Sequence, residues 1–236
     1  MTNQHVKTAK QPGLFVELLF NIVIPSLILM KLSGDSTLGP VNGLIVALLF
    51  PLGYGLWDLY QRRKVNMFSL LGLVSVLLTG GIGLLELDPK YIAIKEAAIP
   101  AIIGLVVWCS QYTRFPLVQT LLLNPKIIDV KKLEKKLADV AQTSAFKNTL
   151  RHAGIGAAGS FFLSATLNYI LARMIVVSPA GTEAFNQEIG RMTALSFPVI
   201  VLPTMIILLA SIFYLFWQIN RLTGESIESF IRDERE

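Results

Sequence analysis

The chain has 236 residues, 53% of them hydrophobic and only 16% charged, with a mean hydropathy of +0.58 and a net charge of +5. A soluble domain carries about 25% charged residues, so the composition excludes an ordinary soluble fold and points to lipid. The positive charge is explained by membrane topology, and the basic runs are too short for a nucleic-acid partner.

About 20 uncharged apolar residues span the hydrocarbon core of a bilayer. The apolar runs here are continuous, which excludes a β-barrel, whose strands alternate. The first run follows a tail bearing Lys7 and Lys10, the layout of a signal peptide. Its length, Asn21 and Pro25 within it, and the lack of a small-x-small cleavage site make it an uncleaved first span over about 14–32. Ser33-Gly34-Asp35-Ser36 ends it. Pro40 suits the first turn of span two, about 40–60, which stops at Gln61-Arg62-Arg63-Lys64. Span three, about 66–85, ends near Glu86, Asp88 and Pro89. Span four, about 91–110, ends before Arg114 and Pro116. Span five covers about 150–177 before Pro179, Gly181 and Thr182 break the chain, and span six covers about 191–219. The expectation is an all-α protein, a single polytopic membrane domain of about six transmembrane helices.

Cytoplasmic segments hold the excess of Lys and Arg. With the N-terminus inside, 16 of the 21 fall on inside segments, and only Lys31, Lys90, Lys95, Arg173 and Arg191 do not. Both ends are therefore expected in the cytoplasm. Between spans four and five, Asn124-Pro125 reads as a helix start. Val130, Leu133, Leu137 and Val140 recur at spacings of three and four, with Lys131, Lys132, Glu134, Lys135, Lys136 and Asp139 on the other face. An amphipathic basic helix over 124–144 follows. It either lies on the anionic inner leaflet, meeting lipid through Lys131, Lys132, Lys135 and Lys136, or packs under the bundle as a linker.

Gly154-Ile155-Gly156-Ala157-Ala158-Gly159 matches a dinucleotide-binding fingerprint literally, but no strand precedes it. It reads instead as a small-residue seam in which Gly156, Ser160 and Ser164 let another helix approach, within the chain or in a homo-oligomer. Gly80 and Gly81 invite the same reading, with a local distortion as the alternative. Asn21-Ile22-Val23-Ile24-Pro25 in span one and Glu96-Ala97-Ala98-Ile99-Pro100 in span four share a pattern. Spans three and six also begin alike, at Lys64 to Ser69 and Arg191 to Ser196. Three spans per half would make this a 3+3 inverted repeat, the organisation of many transporters; chance matches among frequent prolines and glycines are the other explanation.

Proline frees the backbone carbonyl one turn earlier, which in spans one and four belongs to Asn21 and Glu96. Ionisable side chains at membrane depth are costly and are candidates for function. Lys95 and Glu96 point about 100° apart on a helix and are not expected to pair simply. Arg173 could reach Glu96 or Glu86, forming a buried ion pair, or Glu96 serves a substrate or proton. Asp58 suits an interfacial salt bridge with Arg62, and Asn168 completes the polar set. Cys109 is the only cysteine, and His5 and His152 the only histidines. No disulfide, metal or cofactor is expected, and no catalytic motif is present. A lipid-modifying reaction at Asp58 or Glu96 is the only enzymatic form left, and the chain is expected not to be an enzyme.

The segments Phe50 to Asp58, Arg62 to Asn66, Phe68 to Gly72, Leu78 to Leu85 and Lys95 to Pro100 together resemble an uncharacterised family of proteobacterial inner-membrane proteins. That family is distantly similar to intracellular septation protein A, and its members are sometimes labelled major-facilitator transporters, although six spans are half of that fold. The resemblance covers most of the chain and is sharpest from Pro40 to Gly104. It implies a bacterial inner-membrane location and a non-enzymatic role in envelope upkeep or division. The longer cytoplasmic stretch and the additional C-terminal spanning region depart from septation protein A. The rival expectation is a small secondary transporter or channel with a site between spans one and four, at Asn21, Pro25, Glu96 and Pro100.

Overall fold

The computed structural model describes residues 19–62, 67–113, 117 and 128–231, without the side chains of residues 58, 59, 61, 62 and 67–72. Its elements are α1 (Leu19–Lys31), α2 (Gly39–Arg62), α3 (Met67–Leu84), α4 (Lys90–Ser110), α5 (Val130–Asp139), α6 (Thr143–Ile175), α7 (Glu183–Ser196) and α8 (Leu202–Thr223). A 3₁₀ turn, Ile227–Phe230, follows. The described residues contain no strand, only a single bridge between Ile128 and Ile231.

Among the described residues four stretches are long and apolar enough to cross a membrane: Gly39–Trp57, Lys90–Ser110, Thr143–Ile175 and Glu183–Thr223. Leu19–Lys31 and Leu73–Leu84 are apolar but shorter within the described residues. Burial is inverted relative to a soluble protein. The most apolar window of Glu183–Thr223 has a mean hydropathy of 2.6, yet only 11% of it is buried. Aqueous exposure of so much apolar surface would cost about 25 cal/mol per Å²; lipid removes that cost. This is a multi-pass membrane protein.

Two helix starts differ from the expectation. Span five begins at Thr143 rather than near Leu150, because Phe146, Leu150 and Ala153 form a buried stripe while Lys147, Asn148 and Arg151 stay exposed. A helix can thus extend past its lipid-crossing part with one face still covered. Span six begins at Glu183, not Arg191. The Thr182 hydroxyl caps it by accepting from the Phe185 amide at 3.2 Å, and Phe185 and Ile189 bury its polar-looking first turns. A π turn, Phe197–Val201, joins α7 to α8, and another, Leu19–Val23, opens α1.

The chain forms two compact units, Met1–Glu96 with Asn168–Phe197, and Ala97–Leu167 with Pro198–Glu236. The divisions fall within α4, within α6 and in the second π turn, so neither unit coincides with a sequence half of three spans.

In the first unit α1 packs against α2 and α7, and α2 against α3. Gly190 permits the α1 contact: a Cβ there would come within 2.9 Å of the Ser26 carbonyl oxygen. Gly80 and Gly83 receive Leu48 and Leu44 of α2, whereas Gly81 faces open space. Within the chain Gly80 packs against a neighbouring helix and Gly81 does not, since residues one apart point about 100° away from each other.

In the second unit one core joins Val107 of α4, Leu133 and Leu137 of α5, Phe146, Leu150, Ala153 and Ala157 of α6, Leu215 and Ile219 of α8, and Phe230. The Gly154–Gly159 stretch lies mid-helix in α6. A Cβ on Gly156 would collide with Ser211 of α8, and Ser160 is buried, its hydroxyl donating to the Ala157 carbonyl at 2.7 Å. Ser164 is half-buried.

Candidate functional site

Ser75 and Thr79 lie one turn apart on α3, so their hydroxyls share a face. The Thr79 hydroxyl donates to the Ser75 carbonyl at 3.0 Å, which leaves its lone pairs free to accept. Against this face α4 places Lys95, flanked by the fully buried Ile92 and Ala93. The Lys95 Nζ donates to Ser75 Oγ at 3.1 Å, Thr79 Oγ1 at 2.9 Å and Glu96 Oε1 at 2.6 Å. An ammonium has three protons and no acceptor, so all three are used. The Lys95 side chain is 6% exposed and that of Glu96 27%.

Lys95 and Glu96 therefore do pair, contrary to expectation, and Glu96 bonds to its chain neighbour rather than to Arg173. The 100° divergence of adjacent residues holds at Cβ. A four-carbon stem carries the ammonium far enough to turn back over the helix surface, where the two hydroxyls anchor it. Arg173 is exposed on α6, and its charge reaches Asp88, outside the spans. The Asp88 carboxyl is held below its ordinary value, first by the Lys90 amide and then by the Lys90 side chain.

Other expected site residues are not gathered here. Asn21 is half-buried in the π turn of α1, and Pro25 is buried two residues beyond that turn. Pro100 lies inside α4, half-buried, in the second unit, and Asn168 is half-buried on α6. The Asp58 side chain and its expected pairing with Arg62 lie outside the described residues, as do Asn124 and Pro125. The basic helix is capped by Asp129, which accepts from the Lys132 amide at 3.0 Å, and spans Val130–Asp139 rather than 124–144.

That helix is held by the protein. Leu133 and Leu137 are at most 1% exposed, so these two side chains are covered by the protein, while Val130 is half-buried and Val140 exposed. The Lys132 Nζ donates to the Ser229 carbonyl at 2.6 Å, Lys136 pairs with Glu225 at 2.6 Å, and the Asp129 amide donates to the Phe230 carbonyl at 2.7 Å. Lys131 and Lys135 remain exposed.

Two polar residues of α7 escape a reading of the sequence. Asn186 is fully buried and donates from Nδ2 to the Pro40 carbonyl at 2.6 Å and to Ser33 Oγ at 3.2 Å, tying down the α1–α2 turn. Glu188 accepts from the Val177 and Ser178 amides, both at 2.9 Å, and from the Ser178 hydroxyl at 2.7 Å, closing the C-terminal end of α6. Among the described residues no three His, Cys, Asp or Glu side chains gather as metal ligands would. Comparison with protein-family models, curated proteins and solved structures finds no match to this chain.

Proposed function

We propose that this chain is a bacterial inner-membrane protein with six spans and both ends in the cytoplasm, related to the septation protein A group. Its role is non-enzymatic and supports the envelope or its division through helix and lipid contacts. The observation that carries the reading is the state of Lys95. A buried ammonium with all three protons bonded to Ser75, Thr79 and Glu96 holds two helices together and has no donor left for a solute. Taking an ion pair out of water is justified energetically only when its remaining hydrogen bonds are satisfied, and for the ammonium they are.

The rival is a small secondary transporter or channel. It draws on the two π turns, one followed two residues later by Pro25 and the other containing Pro198 and followed two residues later by Pro203, since π segments and interrupted helices accompany binding sites. The experiment is a thermal-stability screen of the detergent-purified protein against ions, metabolites and lipids, beside Glu96→Gln. A ligand at a hundred times its dissociation constant adds about 2.7 kcal/mol. The structural role predicts stabilisation by lipids alone and a lower melting temperature for Glu96→Gln. A small solute that stabilises the native protein, with the effect lost in Glu96→Gln, would overturn it in favour of transport.

A further inference from the structure

An open groove of about 480 Å³ lies between α6 and α8 in the second unit. Its walls come from two helical stripes: Ala145, Asn148, Thr149 and His152 on α6, and Tyr214, Gln218 and Arg221 on α8. Both recur at spacings of three and four, so each helix turns a polar face to the other at the end where the Lys and Arg excess places the cytoplasm. Among the described residues no carboxylate lines the groove. Arg221 makes no ion pair among the described residues, and its guanidinium rests over the Trp217 ring, 5.5 Å from the centroid. Across the same unit Arg151 sits over Tyr112 at 5.3 Å. Arginine on an exposed aromatic ring is an arrangement suited to the headgroup level of a bilayer, where such rings concentrate.

The surface next to the groove is apolar. Ile206, Leu209, Phe213 and Trp217 recur at spacings of three and four along α8, all exposed, and Arg221 follows one turn later. A donor-rich groove with no carboxylate among its described lining residues thus opens at the foot of an apolar stripe long enough to lie beside an acyl chain. A free anion would have no use for the stripe, and a zwitterionic headgroup would bring an ammonium towards Arg221. We propose that the groove is a binding site for one anionic phospholipid of the inner leaflet. The phosphate meets Arg221, with His152 and Asn148 facing it from α6, and the acyl chain runs along the stripe. Lys131 and Lys135 of α5 are not part of it.

Native mass spectrometry of the full chain in detergent tests this with phosphatidylglycerol, phosphatidylcholine of the same chain length, and inorganic phosphate. One phosphatidylglycerol should be retained about tenfold more tightly than phosphatidylcholine, which corresponds to about 1.4 kcal/mol. Arg221→Gln should erase that preference, as should Asn148→Asp, which sets a like charge into the groove from the opposite helix. Lys131→Gln with Lys135→Gln should leave it intact. The site is refuted if the two lipids bind equally, or if both groove variants retain the preference. It is also refuted if the lysine variant abolishes the preference as well, which would make it diffuse attraction, or if inorganic phosphate displaces the lipid, which would make it a free-anion site.

Discussion

Removing the Glu96 side chain tests the Lys95 network most directly. Glu96→Ala takes one of three acceptors from an ammonium that is 6% exposed. Deleting one partner of a buried pair costs about 3–5 kcal/mol. Glu96 is partly reached by solvent, so the low end, about 3 kcal/mol, applies. Glu96→Gln keeps an amide oxygen as acceptor and loses only the charge assistance, about 1–2 kcal/mol. Lys95→Met strands no ammonium but leaves the partly exposed Glu96 carboxylate without its partner, at about 2 kcal/mol. In the double variant Lys95→Met/Glu96→Ala neither charge remains to be stranded, so it should be no worse than Lys95→Met alone, a coupling of about 3 kcal/mol. Reversible unfolding in mixed detergent micelles, followed by circular dichroism, measures all four proteins. Costs that add to within about 0.5 kcal/mol would mean that the residues do not interact, and the helix-tying role of Lys95 would fall with them.

Leu137→Ala empties a fully covered position on α5 and should cost about 2–5 kcal/mol; the expected readout is faster amide exchange across Val130–Asp139, with α2 and α3 unaffected. Asn186→Ala should destabilise by about 1–3 kcal/mol, because the Pro40 carbonyl and Ser33 hydroxyl lose their donor. Part of that is offset because Asn186 Oδ1 is itself buried without a partner among the described residues, and limited proteolysis at residues 33–39 would report the loosened turn. The Glu225 carboxyl is held below its ordinary value, first by the hydrogen bond from Lys136, then by that from the Ser229 hydroxyl. Its share of stability is present above the unfolded carboxylate range and is lost as pH falls through the lowered folded value. Exchange at residues 225–231 should therefore accelerate only in acid, and Glu225→Gln should remove that dependence.

The apolar runs made the helices legible because lipid imposes a length on them that no side-chain detail can disguise. What escaped was set by partners distant in sequence. The stripe of α5 could be recognised from Leu133 and Leu137, but whether it faced lipid or protein depended on Phe230 and Leu215, more than 70 residues away. Asn186 looked like loop because Glu183 to Arg191 is polar, and only the buried α1–α2 turn gives its amide something to hold. The Lys95 site shows the same limit at closer range. Ser75 and Thr79 sit inside an apolar run and read as filler, yet as the i and i+4 hydroxyls of a membrane helix they are a ready acceptor pair. A cation facing such a pair is more economically satisfied by it than by a remote Arg173–Glu96 bridge, because Arg173 would add a second cation to the same carboxylate without relieving Lys95. The two charges closest in sequence became partners once those hydroxyls fixed where the ammonium had to lie.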